Sequence, residues 1–210
     1  MLGKQNVDWR ADRRNKASAD IVAAAWELAR EHGLGGLSLR DLARQLGMAT
    51  PSLYSYFDSK LALYDAMFAD GWAALLAFDP PAASADLRTT LLADASRWMT
   101  FSVEDPVRFQ LLNQRTIPGF EPSPEAYAVA QAVYQQAFAQ IQTFTELTQA
   151  DRDLWTAIVS GLVTQQISND PGGSRWLGLI DDAVDLFVAR IEGRTRPGSS
   201  GARRRTKGKP

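Results

Sequence analysis

Residues 37–60 read LSLRDLARQLGMATPSLYSYFDSK. Ser38 stands where an N-cap belongs, just before an apolar stripe of Leu39, Leu42, Ala43 and Leu46, and Gly47 can end the helix in the left-handed region. Only a few residues later a second helix begins, with Thr50 at its cap and Pro51 at its first position, where a missing N–H costs nothing. Two short helices across a tight glycine turn make a helix-turn-helix, and the small side chain of Ala43 lets them approach closely. Leu53 and Phe57, four residues apart, point inward with Leu42 and Leu46. Thr50, Ser52, Ser55 and Tyr56 are left facing out, a hydrogen-bonding surface of the kind that reads base edges in a major groove. The hydroxyls of Tyr54 and Tyr56 can reach phosphates, and Lys60 can neutralise one.

The same rhythm continues on both sides. A helix over Ser18–Glu31 carries Ile21, Ala24, Ala25, Leu28 and Ala29 and is stopped by HGLGG; a longer one over Asp58–Phe78 repeats Leu61, Tyr64, Phe68 and Trp72. DPPAAS, at residues 79–84, breaks the chain. Beyond it Leu87, Leu91, Ala95, Trp98 and Phe101 form a stripe, and Asp105-Pro106 is a cap and restart. TIPGFEPSPE is a loop, and Tyr127 to Phe144 keeps the three-four spacing. Two final helices over about 151–168 and 175–191 flank NDPGG. No two-residue alternation of any length intervenes. The expected fold class is all-α with about nine helices, and residues 193–210 are expected to be a basic disordered tail.

A chain of 210 residues without cysteine has no disulfide, no thiolate catalysis and no Cys-ligated zinc. With neither a signal core nor an apolar run of about 18 residues, it is expected in the cytoplasm with no membrane partner. The net charge of −1 conceals +2 over residues 1–60, −10 over 61–189 and +7 over 190–210, so the ends of the chain meet a polyanion better than the middle does.

The segment LSLRDLARQLGMATPSLYSYFDSKLALYDAM resembles the DNA-binding part of the tetracycline-repressor (TetR) family of bacterial transcription regulators, through Ser38, Arg40, Leu42, Ala43, Leu46, Gly47, Met48, Leu53, Tyr54, Tyr56, Phe57 and Lys60. The resemblance is strong over residues 18–68 and rests beyond them on helical rhythm and length. It implies that residues 1–62 form a three-helix DNA-binding domain and residues 63–192 a helical ligand-binding and dimerisation domain, in a homodimer that binds double-stranded operator DNA and answers to a small-molecule effector. It also implies DNA contacts from Arg40, Thr50, Pro51, Ser52, Tyr54, Ser55, Tyr56 and Lys60. The chain departs from bidentate base readout, because residues 49–57 contain no Arg, Asn or Gln. Specificity then leans on hydroxyls, methyl contacts, DNA shape and an arm containing Arg10, Arg13, Arg14 and Lys16.

Trp72, Trp98, Phe101, Phe109, Tyr134 and Phe138 are expected to line a ligand cavity where they do not fill the core, with Arg115, Gln165 and Gln166 as orienting groups. The two last helices are apolar on more than one face, which a helix wet on one side does not need. Trp155, Ile158, Gly161, Leu162, Ile180, Val184 and Phe187 are therefore expected at a dimer interface, with Gly161 marking a close helix approach. Nothing in the pattern implies a cofactor, a metal or a catalytic residue. His32 is the only histidine and suits a helix end, and Asp181, Asp182 and Asp185 read as a solvated face. A helical small-molecule-binding or enzymatic protein is the alternative, against which stands the absence of a nucleophile–base pair.

Overall fold

The computed structural model describes residues 3–78 and 85–195, with side chains from residue 9 to 194. The described residues form nine α-helices and no strand: α1 (Gly3–Gly36), α2 (Leu39–Gln45), α3 (Thr50–Tyr54), α4 (Lys60–Ala77), α5 (Leu87–Glu104), α6 (Pro106–Asn113), α7 (Pro124–Gln142), α8 (Gln149–Asn169) and α9 (Ile180–Thr195). A single 3-10 turn, Leu177–Leu179, leads into α9. The DPPAAS break and the tail from residue 196 lie outside the described residues.

Most helix starts follow the capping chemistry read from the sequence. Ser38 Oγ accepts the Asp41 N–H, and Asp105 caps α6 by accepting the Arg108 N–H at 3.0 Å, with Pro106 directly behind it. Five boundaries differ from expectation. First, α1 runs back to Gly3 instead of starting near Ser18; at its far end Gly33 (φ 73°, ψ 162°) interrupts it within the HGLGG segment. Second, α3 is capped by Ala49 without a side-chain bond and ends at Tyr54, so Tyr56 and Phe57 follow it in a turn. Third, α4 begins at Lys60, not Asp58, because Ser59 Oγ accepts the Ala62 N–H at 3.1 Å. Fourth, α9 starts at Ile180 rather than near residue 175. Fifth, it continues through residues 193–195, which the sequence assigned to the tail.

Three apolar cores hold the chain. The first joins α1, α2, α3 and the start of α4 around Ala25, Ala29, Leu42, Leu53 and Leu63, and it is reached from α6 by Leu111. The second joins α5, α7, α8 and α9 around Leu91, Ile141, Val163, Val184 and Phe187. The third, between α4, α5 and α7, contains Phe68, Leu75, Phe101 and Val133. There α4 crosses α6 so closely that a Cβ on Gly71 would sit 3.0 Å from Leu112 Cδ2. α4 therefore belongs to both the first core and the third. It is a continuous rod between the helix-turn-helix and the rest.

Candidate functional site

The helix-turn-helix is built as its residue types require. Gly47 turns the chain at φ 65°, a conformation that costs a residue with a side chain. Leu42 and Leu53 are fully buried, Ala43 is 1% exposed, and Phe57 is buried beside them. This anchoring leaves Pro51, Ser52, Tyr54 and Ser55 exposed, Tyr54 to 48%, with Thr50 and Tyr56 half-buried at the margins. Arg40 is exposed on α2. Polar, hydroxyl-bearing atoms thus stand on a rigid, outward-facing element.

The cations around this face are placed differently from one another. Arg14 donates from Nη2 to the Ser55 carbonyl at 2.8 Å and lies 5.6 Å from the Tyr56 ring centroid, so it braces the end of α3 from α1. Arg13 stacks on Trp9 at 3.7 Å and stays exposed. Lys60 is half-buried at the edge of the face: Nζ donates to the Gly35 carbonyl at 3.0 Å and lies over Tyr64, and burial holds its pKa below the ordinary lysine range. Ser55 Oγ spends its proton on the Ser52 carbonyl at 2.7 Å.

Polar links tie this face to the remainder of the chain. Arg30 of α1 reaches Asp105 with Nη2 at 2.8 Å and Nε at 2.9 Å. Trp26 donates to Asp70 of α4 at 2.8 Å, and Tyr64 of α4 donates to the Leu34 carbonyl, its pKa raised to about 12 by burial. Arg108 packs its guanidinium 3.6 Å from the Phe101 ring centroid beneath this junction. Burial lowers its pKa, against the pull of Asp105.

A second site opens between α4, α7 and α8. Its outer part is a cleft of about 860 Å³, and a deeper lobe of about 120 Å³ reaches α5. Trp72, Tyr134, Phe138, Thr156 and Ser160 border both. Of the aromatics expected there, Trp72, Trp98, Tyr134 and Phe138 are present. Four expectations are corrected. Phe101 and Phe109 are 2% and 4% exposed inside the cores and line neither lobe. Arg115 lies on the exposed loop facing Glu121 at 3.5 Å. Gln165 faces out, bonded to Asn169, while its neighbour Gln166 is buried and accepts the Trp176 N–H at 2.9 Å. The sequence reading missed Asp94, Thr156 and Ser160. Asp94 lies one helical turn before Trp98, and that spacing was the available signal.

The outer side of α8 and α9 carries a third feature. Leu154, Leu179 and Leu186 are exposed, Leu186 to 73%, and Ile158 and Leu162 are half-buried beside exposed Gly161. Trp155, Ile180, Val184 and Phe187, expected at an interface, are instead buried within the chain's own core, where Trp155 packs on Phe187 at 4.8 Å. A side chain sealed inside its own subunit cannot meet a second copy. Gly161 likewise marks no close approach within the chain, since a Cβ there would meet nothing within 4 Å. On α9, Asp181 and Asp185 pair with Arg88 of α5 at 3.0 and 2.6 Å. No helix among the described residues is long and apolar enough to cross a membrane.

Residues 21–67 match the model of a family described as bacterial regulatory proteins, tetR family. An HTH-type transcriptional regulator of Mycobacterium bovis is 31% identical over 127 residues, covering 58% of this chain and 54% of that protein; the match thus spans about half the relative's length. A class A tetracycline repressor of Escherichia coli is 37% identical over 75 residues, 36% of this chain and 35% of the repressor. A crystal structure of a TetR variant from Acinetobacter baumannii in complex with minocycline shares the fold at 23% identity and a TM-score of 0.56, covering 85% of this chain and 97% of that one. The motif of α2 and α3 lies wholly within residues 21–67, the segment that matches the tetR family of bacterial regulatory proteins.

Proposed function

We propose that the chain is a homodimeric transcriptional repressor that binds palindromic operator DNA and releases it when a small molecule enters the cleft beside α7. The observation that carries this reading is the exposed face of Pro51, Ser52, Tyr54 and Ser55, held clear of the protein by the buried anchors Leu53 and Phe57. Residues 1–62 act as the reader and 63–192 as the body. Thr50, Tyr56 and Arg40 border the face, with Arg13 and Arg14 beside it for phosphates. Two readers on a two-fold axis would enter successive major grooves about 34–36 Å apart.

The exposed leucines of α8 and α9 support pairing of two copies through these helices. The cleft supports an effector site because it combines apolar walls with a few polar groups. Its wall Trp72 stands on α4, the rod that also carries Tyr64 and Asp70 into the reader. A ligand that prefers a different tilt of α4 would change the spacing of the readers. The response is bounded by that preference, about 1.4 kcal/mol for each tenfold loss of affinity.

A gel-shift titration of the chain with DNA from upstream of its own gene, across several salt concentrations, tests the reading. A specific complex of two subunits whose affinity falls steeply with salt is expected. Equal affinity for upstream and scrambled DNA would remove the operator assignment.

A further inference from the structure

The cleft holds one charged group that the protein leaves unanswered. Asp94 stands on α5 in the deeper lobe, one turn before Trp98, and among the described residues no donor hydrogen-bonds it and no cation pairs with it at contact distance. Arg97 shares that lobe, yet its guanidinium is directed at the end of α4, where Nε donates to the Phe78 carbonyl at 2.5 Å and Nη2 to that of Leu75. Its charge reaches Asp94 only across space. Burial pushes the Asp94 carboxyl above the ordinary aspartate range, and the distant Arg97 charge draws it partly back.

The walls around this carboxylate are aromatic. Trp72 and Trp98 stack at 5.6 Å with their planes 6° apart, and Tyr134 leans on Phe138 at 4.5 Å. Ring faces of this kind attract cations and repel anions. Trp72 adds a donor: its Nε1 is buried with no partner. A buried N–H without an acceptor is costly, so a guest that supplies one is favoured. In the outer cleft Asp153 accepts from Gln149 at 2.8 Å and Arg152 donates to the Leu147 carbonyl at 3.2 Å, away from the deeper lobe that holds Asp94.

We infer that the effector is an apolar amine cation bearing a hydrogen-bond acceptor, with its ammonium against Asp94 and the aromatic walls and its acceptor on Trp72 Nε1. This rests on the ligand-responsive reading above and deepens it by assigning the ligand's charge. An anionic or neutral ligand of the same body would leave the carboxylate buried and unpaired, or bring a like charge to it.

Calorimetric titration of the full chain with three probes of one skeleton decides the matter: phenoxybutylamine, its N-acetyl derivative and phenoxypentanoate. The amine is expected to bind at least about tenfold more tightly than the other two, and Asp94→Asn to remove that preference while Asp94→Glu retains it. The wild-type comparison needs no variant to fold. Equal or tighter binding of the carboxylate overturns the inference. So does the absence of binding by all three, or a preference that survives in Asp94→Asn. Operator binding measured on the same preparation separates the two readings: a chain that shifts its DNA yet ignores the amine loses only the charge assignment.

Discussion

At the scale of single residues, the charged side chains divide into those that face a partner and those the fold has already used. Lys60 leans toward the second group, because its half-buried Nζ donates to the Gly35 carbonyl and lies over the Tyr64 ring, away from the exposed face of α3. Lys60→Ala is expected to lower stability by about 1 kcal/mol in urea unfolding and to leave the salt slope of DNA binding unchanged. Arg14 is exposed and bonds Ser55 through one of its donors, so Arg14→Ala should reduce that slope by about one and weaken binding to all sequences alike. Asp151 offers a different test. Burial pushes its carboxyl up, but the Thr148 hydroxyl, Arg194 and the Thr148 amide outweigh it and hold the pKa at about 2. The carboxylate is fully covered, yet its covers Arg190 and Arg194 are themselves partly exposed. A depressed acid stabilises the fold above its unfolded pKa, about 3.9, and loses that contribution as pH falls through the folded value. The stability gap between the native chain and Asp151→Asn should therefore be full at pH 5 and shrink between about 4 and 2, as read by denaturant midpoints at stepped pH.

At the scale of elements, what could be read in advance depended on whether a residue type has one physical use or two. The α2–α3 unit was legible because Gly47 must take a positive φ, Ala43 must be small, and Leu53 and Phe57 have no apolar alternative to the interior. Leu53→Ala should cost about 2–5 kcal/mol in chemical unfolding and abolish specific DNA binding while leaving dimerisation intact, because it opens a cavity under α3 alone. α8 was not legible in the same way. Trp155, Val159 and Val163 are buried, while Leu154, Ile158 and Leu162 are partly exposed. Both stripes are apolar at helical spacing, so periodicity alone does not say which one faces the subunit's core. The cleft failed for a related reason. Phe101 and Phe109 share the spacing and chemistry of Trp98, and only the packing of α5 against α6 and α7 decides which rings fill a core and which border a space.

At the scale of the whole molecule, the proposed pairing of two chains turns that ambiguity into an expectation. One apolar stripe of α8 is used by the subunit's own core, and of the other only Leu162 packs against that core, which leaves Leu154 and part of Ile158 open. Leu186 at 73% exposure on α9 extends this open part. A leucine that open on a monomer is a solubility liability, whereas at the centre of a four-helix contact it is an anchor. Gly161 fits the same role, being exposed with no atom within 4 Å of where its Cβ would lie. Gly161→Arg with Leu186→Arg should therefore sediment as a folded single chain with unchanged helical signal, because neither residue supports the internal core. Its operator affinity should fall by roughly a hundredfold or more, since two readers no longer bind as one unit. If the doubly substituted chain still sediments as a dimer, the outer face of α8 and α9 is not where the copies meet, and the spacing of the readers must be set by another surface.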